Sequence, residues 1–121
     1  MLHDRVEWIE YKGKQLLYCD YRNLYDDDVI RLIKIVDEVV LSSERKDLLK
    51  INDVRGQFAT SAILPEIKRS SKLQKPYLKK SAYVGITGVK KILLDAINRV
   101  SNIGAKPFTD IETAKEWLVQ D

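Results

Sequence analysis

Ser81-Ala82-Tyr83-Val84-Gly85-Ile86-Thr87-Gly88-Val89-Lys90-Lys91-Ile92-Leu93-Leu94-Asp95-Ala96-Ile97-Asn98-Arg99 is the stretch that sets the fold class. A short apolar run ends in a Gly-Ile-Thr-Gly turn, and an amphipathic helix starts at once behind it. That is a buried strand feeding a helix, the repeating unit of an α/β domain. Residues 81–86 are the expected strand and Thr87 the expected N-cap. Ile92, Leu93, Ala96, Ile97 and Val100 are the expected buried face of the helix. The turn presents backbone N–H groups at a helix start, where an anion is favoured. Thr87, Gly88, Lys90 and Lys91 are therefore a candidate anion site for phosphate or a nucleotide. The turn lacks the long loop and Gly-Lys-Ser/Thr end of a Walker motif, and it is not the dinucleotide fingerprint.

The same alternation extends towards the N-terminus. Residues 48–54 form another expected strand, and 55–61 the loop at its C-terminal end, where ligands and partners dock on open α/β sheets. A helix follows, starting between Ala62 and Pro65, because proline is tolerated only in the first turn. Its apolar stripe is thin: Ile63, Ile67 and Leu73. Lys75-Pro76 closes it. Further back, Val29, Leu32, Ile33, Val36, Val39 and Val40 recur at helical spacing up to about Leu41. Asp26-Asp27-Asp28 lies where acids complement the helix dipole and an aspartate caps it. Val6–Tyr11 and residues 15–21 flank a short turn at Gly13 and read as a β-hairpin.

Towards the C-terminus, residues 102–104 stop the helix and 105–108 make a short edge strand, since Pro107 cannot donate to a central ladder. Thr109-Asp110-Ile111-Glu112 reads as a capping box with the threonine as cap. The last helix buries Ile111, Ala114, Trp117 and Leu118. The order is β-β-α-β-α-β-α-β-α, a single α/β domain over residues 1–121.

The composition, 45% hydrophobic and 32% charged, is that of a globular domain. No apolar run approaches the roughly 18 residues of a membrane span. The first residues carry no apolar signal core, so a cytoplasmic location is the default expectation. Cys19 is the single cysteine, which excludes an intramolecular disulfide and a thiolate-rich zinc site. The net charge of +3 is unevenly spread, with a basic segment at Lys68, Arg69, Lys72, Lys75, Lys79, Lys80, Lys90 and Lys91. That segment suits an acidic partner, a phosphate-bearing ligand or an anionic membrane, or is simply a solvated face. It lacks the interleaved aromatics of a single-strand binder, so nucleic acid is not an expected partner.

The stretch 75–99, together with Lys106-Pro107-Phe108, Glu112-Thr113-Ala114-Lys115-Glu116-Trp117-Leu118 and Asp53-Val54, resembles the STAS-like (SpoIIAA-like) small bacterial domains, relatives of the anti-sigma-factor antagonists. The resemblance covers most of residues 14–121 and is most specific in the last 50. It implies a mixed sheet with helices mainly on one face and a non-enzymatic regulatory role, without cofactor, in contact with a protein partner. A second copy of the chain is one such partner. Phosphorylatable STAS proteins carry an Asp-Ser-Ser/Thr-Gly run after the third strand. Here Thr60 and Ser61 occupy that place as candidate phosphorylation positions, without the preceding acid and following glycine.

The candidate docking surface is then the loop and second helix: Asp53, Arg55, Phe58, Thr60, Ser61, Lys68 and Lys72. The alternative is a small anionic ligand or an anionic lipid surface, bound at the Gly-Ile-Thr-Gly turn and the basic segment. Catalysis is not expected. His3, the only histidine, lies in the N-terminal segment, where local order is weakest. Cys19 reads as a small buried hydrophobe. Asp26-Asp27-Asp28 lacks the spacing of a calcium loop. Trp8, Trp117 and Tyr83 are expected core residues.

Overall fold

Lys12 and Gly13 both take positive φ, 49° and 82°. That is the two-residue turn whose twist matches a β-hairpin. It joins β1 (Val6–Tyr11) to β2 (Lys14–Asp20), paired antiparallel from Val6↔Cys19 to Tyr11↔Lys14. The computed structural model of the chain describes residues 1–58, 60–87 and 90–120, with the side chains of Val100 and Ser101 outside that description. After β2 come α1 (Asp26–Ser42), β3 (Leu48–Asp53), α2 (Leu64–Gln74), β4 (Leu78–Val84), α3 (Lys90–Ser101), β5 (Lys106–Phe108) and α4 (Ile111–Val119). Short 3-10 turns at Ser61–Ile63 and Lys75–Tyr77 flank α2. The strands form one sheet in the order β1-β2-β3-β4-β5, parallel in every pair except the first hairpin. The expected α/β architecture and element order are those observed.

Side chains of a strand alternate between faces, so each strand feeds two layers. β3 is central, and all six of its residues are buried. Leu49 and Ile51 meet Leu16, Ala82 and Val84 on one face, under Ala114 and Leu118 of α4. Leu48 meets Leu17 and Cys19 on the other, under Val29, Leu32, Val36 and Val40 of α1. The helix α2 packs beside α1 on that face, and α3 beside α2. Three helices thus share one face, and α4 alone covers the other.

Several sequence expectations shift by a residue or more. β4 runs over Leu78–Val84 rather than 81–86. Pro76 closes α2 within a single 3-10 turn, and Lys80 then has a role inside the strand. Its ammonium donates to the carbonyls of Trp117 and Gln120 at the end of α4. The strand ends at Gly85, φ 92°, where a Cβ would stand 2.5 Å from Cγ of Arg55. Only glycine permits that approach of two strand-end loops. The first described residue of α3 is Lys90, whose N–H donates to the carbonyl of Thr87.

The buried face of α3 is also turned. Ile92 is 66% exposed, while Leu94 and Ile97 are buried and Leu93 is half-buried. The side chain of Val100 lies outside the described residues. Asp110, not Thr109, caps α4, accepting from the N–H and hydroxyl of Thr113. At α1 the N-cap is Tyr25, which makes no side-chain cap bond. The three aspartates fill the first turn behind it, where they complement the dipole. Trp8 is exposed on β1 beneath the Arg45 guanidinium, 4.8 Å from its ring, so it is not a core residue. Cys19 is fully buried, and burial pushes its thiol up to about 12.

Candidate functional site

The C-terminal ends of the parallel strands continue as loops stitched to one another. Tyr21 N–H donates to Asp53, Val54 N–H to Val84, Gly85 N–H to Phe108 and Phe58 N–H to Leu24. The ladder therefore extends past the strands, and the loop after β3 is held in place rather than left hanging.

Asp53 ends β3 and is completely buried. Tyr18 donates its hydroxyl to Asp53 Oδ2 at 2.6 Å. Arg55 forks onto both oxygens at 2.9 and 2.7 Å. Arg22, itself forked onto Asp20, stands 3.7 Å from Oδ2. Burial alone raises the Asp53 carboxyl, but the Arg55 and Tyr18 hydrogen bonds outweigh it and hold the group below its ordinary value. The cluster is internally satisfied. Asp53 has no surface to offer a partner, and its work is to fix Arg55, whose side chain is 45% exposed.

Phe58 lies further along the same loop and is 54% exposed. It stacks on Tyr25, itself 65% exposed, with centroids 4.9 Å apart and planes 17° from parallel. Asp26, Asp27, Asp28, Arg31 and Thr60 complete a shallow dish around the two rings. Thr60 donates its N–H and hydroxyl to Asp26 and accepts from Ala62 N–H, so its oxygen is engaged on both sides. Ser61 is exposed, and its hydroxyl meets no hydrogen-bond partner among the described residues. Lys68 is half-buried and Lys72 exposed on α2, and neither lines the dish. The surface beside Phe58 is aromatic and acidic, where the sequence suggested a basic one.

The second candidate, at the Gly-Ile-Thr-Gly turn, lies only partly within the described residues. Gly88 lies outside the described residues. Thr87 and Lys91 are exposed. Lys90 turns inward, its ammonium donating to the carbonyl of Val54 at 2.8 Å, and burial lowers its pKa below the ordinary lysine value. That leaves Lys91 as the one lysine of the pair turned to the surface.

Sequence reasoning missed the most unusual feature, the polar interior beneath α2. Ile63, Ile67, Ser70, Ser71 and Gln74 fall on one helical stripe, with Ser70, Ser71 and Gln74 buried and Leu73 partly exposed. Facing that stripe, β3 presents Lys50 and Asn52, and β4 presents Ser81, all buried. Lys50 Nζ donates to Gln74 Oε1 at 2.7 Å. The Gln74 amide donates to Asp37 Oδ1 at 2.6 Å and to Ser70 Oγ at 3.0 Å. Asp37, buried on α1, also accepts from Ser70 and from Arg69. Asn52 donates to Ser81 Oγ and to the carbonyl of Ala82. Burial lowers the Lys50 ammonium below its usual value. Lys50, Asn52, Ser70, Ser71, Gln74 and Ser81 line a cavity of ≈ 60 Å³ between the sheet and the helices.

Fold and site together define a class: an α/β protein with a sequential five-stranded sheet, a stitched strand-end loop surface and a polar cavity inside one helical layer. No family model, curated protein or solved structure matches the chain. Among the described residues no three His, Cys, Asp or Glu side chains gather as a metal site requires. Among them, too, no helix is long and apolar enough to cross a membrane.

Proposed function

We propose that this chain is a non-enzymatic, STAS-like interaction module that docks a protein partner at the C-terminal edge of its sheet. The contact is the loop after β3 and the turn into α2. The observation that carries this reading is the exposed Tyr25–Phe58 stack. Single exposed apolar side chains are ordinary, but two large rings spending their faces on each other in a rimmed dish mark a binding surface. Aromatic anchors in a polar rim are the usual energetic centre of a protein interface. The rim here is Asp26, Asp27 and Asp28 with Arg31 and Thr60, acidic on balance, so charge complementarity favours a partner with an apolar side chain flanked by lysines or arginines. The sequential strand order, with three helices on one face, supports the STAS-like resemblance of the sequence.

Tyr25 adds a second support. It holds an N-cap position where serine or aspartate stabilises a helix by about 1 kcal/mol, and it makes no cap bond there. A residue that costs stability and is exposed is placed for contact rather than for folding. Tyr25→Ser is therefore expected to raise the unfolding free energy by about 1 kcal/mol while weakening docking. The test compares proteins captured from native cells by the wild-type chain, by Phe58→Ser and by Lys72→Ala as a control. A partner held by wild type and Lys72→Ala but lost from a folded Phe58→Ser variant supports the reading. Identical captures by all three overturn it.

A further inference from the structure

The polar half of the interior has hydrogen-bonding capacity that the described residues do not use. Lys50 is 7% exposed, Ser71 8% and Tyr21 6%, and all three line the same cavity. An ammonium carries three donors. That of Lys50 gives one, to Gln74, among the described residues. The hydroxyls of Ser71 and Tyr21 meet no hydrogen-bond partner among them. No fully enclosed side-chain nitrogen or oxygen among the described residues lacks a partner. The Ser71 and Tyr21 hydroxyls are therefore not fully enclosed, and both residues line the cavity. Ile33, Ile63, Ile67, Leu93, Leu94 and Ile97 give its wall an apolar part.

We infer that this cavity is a binding site for a small monocarboxylate, its head on Lys50 and its short apolar tail among the isoleucines and leucines of α1–α3. A carboxylate supplies charge-assisted acceptors for the spare ammonium donors, bonds that are strongest in a low-dielectric site. Arg69 pairs with both Asp37 and Glu66, and the Gln74 amide bridges Asp37 to Lys50. The ammonium of Lys90, the other cation on the wall, is turned to the Val54 carbonyl. A phosphate dianion would bring twice the negative charge of a carboxylate beside the buried Asp37.

Size sets the tail. A cavity of ≈ 60 Å³ holds about four to six water-sized atoms, the count of acetate to butyrate. Gln57, Ile86 and Lys90 line the same cavity from the strand-end loops and are half-buried. They bring it to the C-terminal edge of the sheet, where ligands reach α/β proteins.

The full-length chain, labelled at isoleucine and leucine methyls, is titrated with butyrate, with butyramide as the uncharged isostere, with octanoate and with inorganic phosphate. Butyrate is expected to shift the methyls of Ile33, Ile63, Ile67, Leu93 and Ile97 in a saturable way. Butyramide should bind at least tenfold more weakly, and octanoate and phosphate should leave these methyls unmoved. Lys50→Met should bring butyrate down to the level of butyramide. If that variant fails to fold, the acid-against-amide comparison on the wild-type chain still decides. Equal binding of acid and amide overturns the inference. So do shifts confined to surface residues, or no saturable shift by tens of millimolar.

Discussion

The two faces of the sheet are built by opposite rules. Beneath α4 the interior is dry: Leu16, Leu49, Ile51, Ala82, Val84, Ala114 and Leu118 pack with Phe108 and Trp117 against them. Beneath α2 a buried layer holds a lysine, an aspartate, an asparagine, a glutamine and serines around a cavity. Both layers hang on the same strand, since β3 sends Leu49 and Ile51 one way and Lys50 and Asn52 the other. Folding alone favours the first rule, because buried polar groups contribute little net stability and buried ions cost it. The dry face therefore carries stability, and the wet face keeps room and polar capacity at some expense.

The largest break in this comparison comes from the dry face. Ile51→Ala should destabilise the chain by about 3–4 kcal/mol, because its fully buried side chain sits between β2 and β4 under α4. Chemical denaturation with an unchanged m-value measures it. A loss below about 1 kcal/mol would mean that the α4 layer is loosely packed.

Asp53 gives the next effect, at the junction of the faces with the strand-end loops. Asp53→Ala strands Arg55, Arg22 and the Tyr18 hydroxyl and should cost about 2–3 kcal/mol. Its carboxyl lies below the ordinary value in the folded chain. Its contribution is therefore complete above the unfolded value of about 3.9 and is lost as pH falls through the folded value beneath it. Stability curves of wild type and variant should converge in that acid range. Parallel curves from pH 6 to pH 2 would show that the pairing carries no stability. At the small end, Ser71→Ala removes a hydroxyl with no partner among the described residues and should change stability by no more than about 0.5 kcal/mol, as thermal unfolding would read. A loss above 1.5 kcal/mol would place a hidden structural bond there.

The sequence made the dry face legible and left the wet one unread. Alternating strands and apolar helical spacing locate β2, α1 and β3 to within a residue or two, because burial there is apolar and periodic. The stripe of α2 looked thin because periodicity counts only apolar residues, and three of the five residues of this stripe are Ser70, Ser71 and Gln74. The available signal was the matching polarity of the neighbouring strand, where Lys50 and Asn52 interrupt an otherwise apolar run. Ile92 and Leu94 lie on nearly opposite faces of α3, and spacing within one helix does not say which of two apolar faces a neighbour covers. Thr109 and Asp110 are adjacent capping types, and only backbone geometry chose Asp110. The exposed Tyr25–Phe58 stack joins two loops far apart in sequence, which no local pattern shows.

The central claim is that the wet face is kept for a ligand against the interest of stability. Urea unfolding of wild type and Lys50→Met, each with and without saturating butyrate, tests it most directly. Lys50→Met removes a buried cation but also leaves the buried Gln74 carbonyl without its donor, so the two effects offset and the ligand-free variant should lie within about 1 kcal/mol of wild type. The cost of the ammonium has a pH signature. The Lys50 ammonium is lowered by burial, so its cost is full below the folded value and relieved as pH rises towards the unfolded value of about 10.4. Wild type should therefore gain on the variant over that alkaline interval. Butyrate should stabilise wild type and leave Lys50→Met nearly unmoved, since only a native-state site gains from ligand. A variant that butyrate stabilises as much as wild type, or no gain of wild type over that interval, would contradict the account.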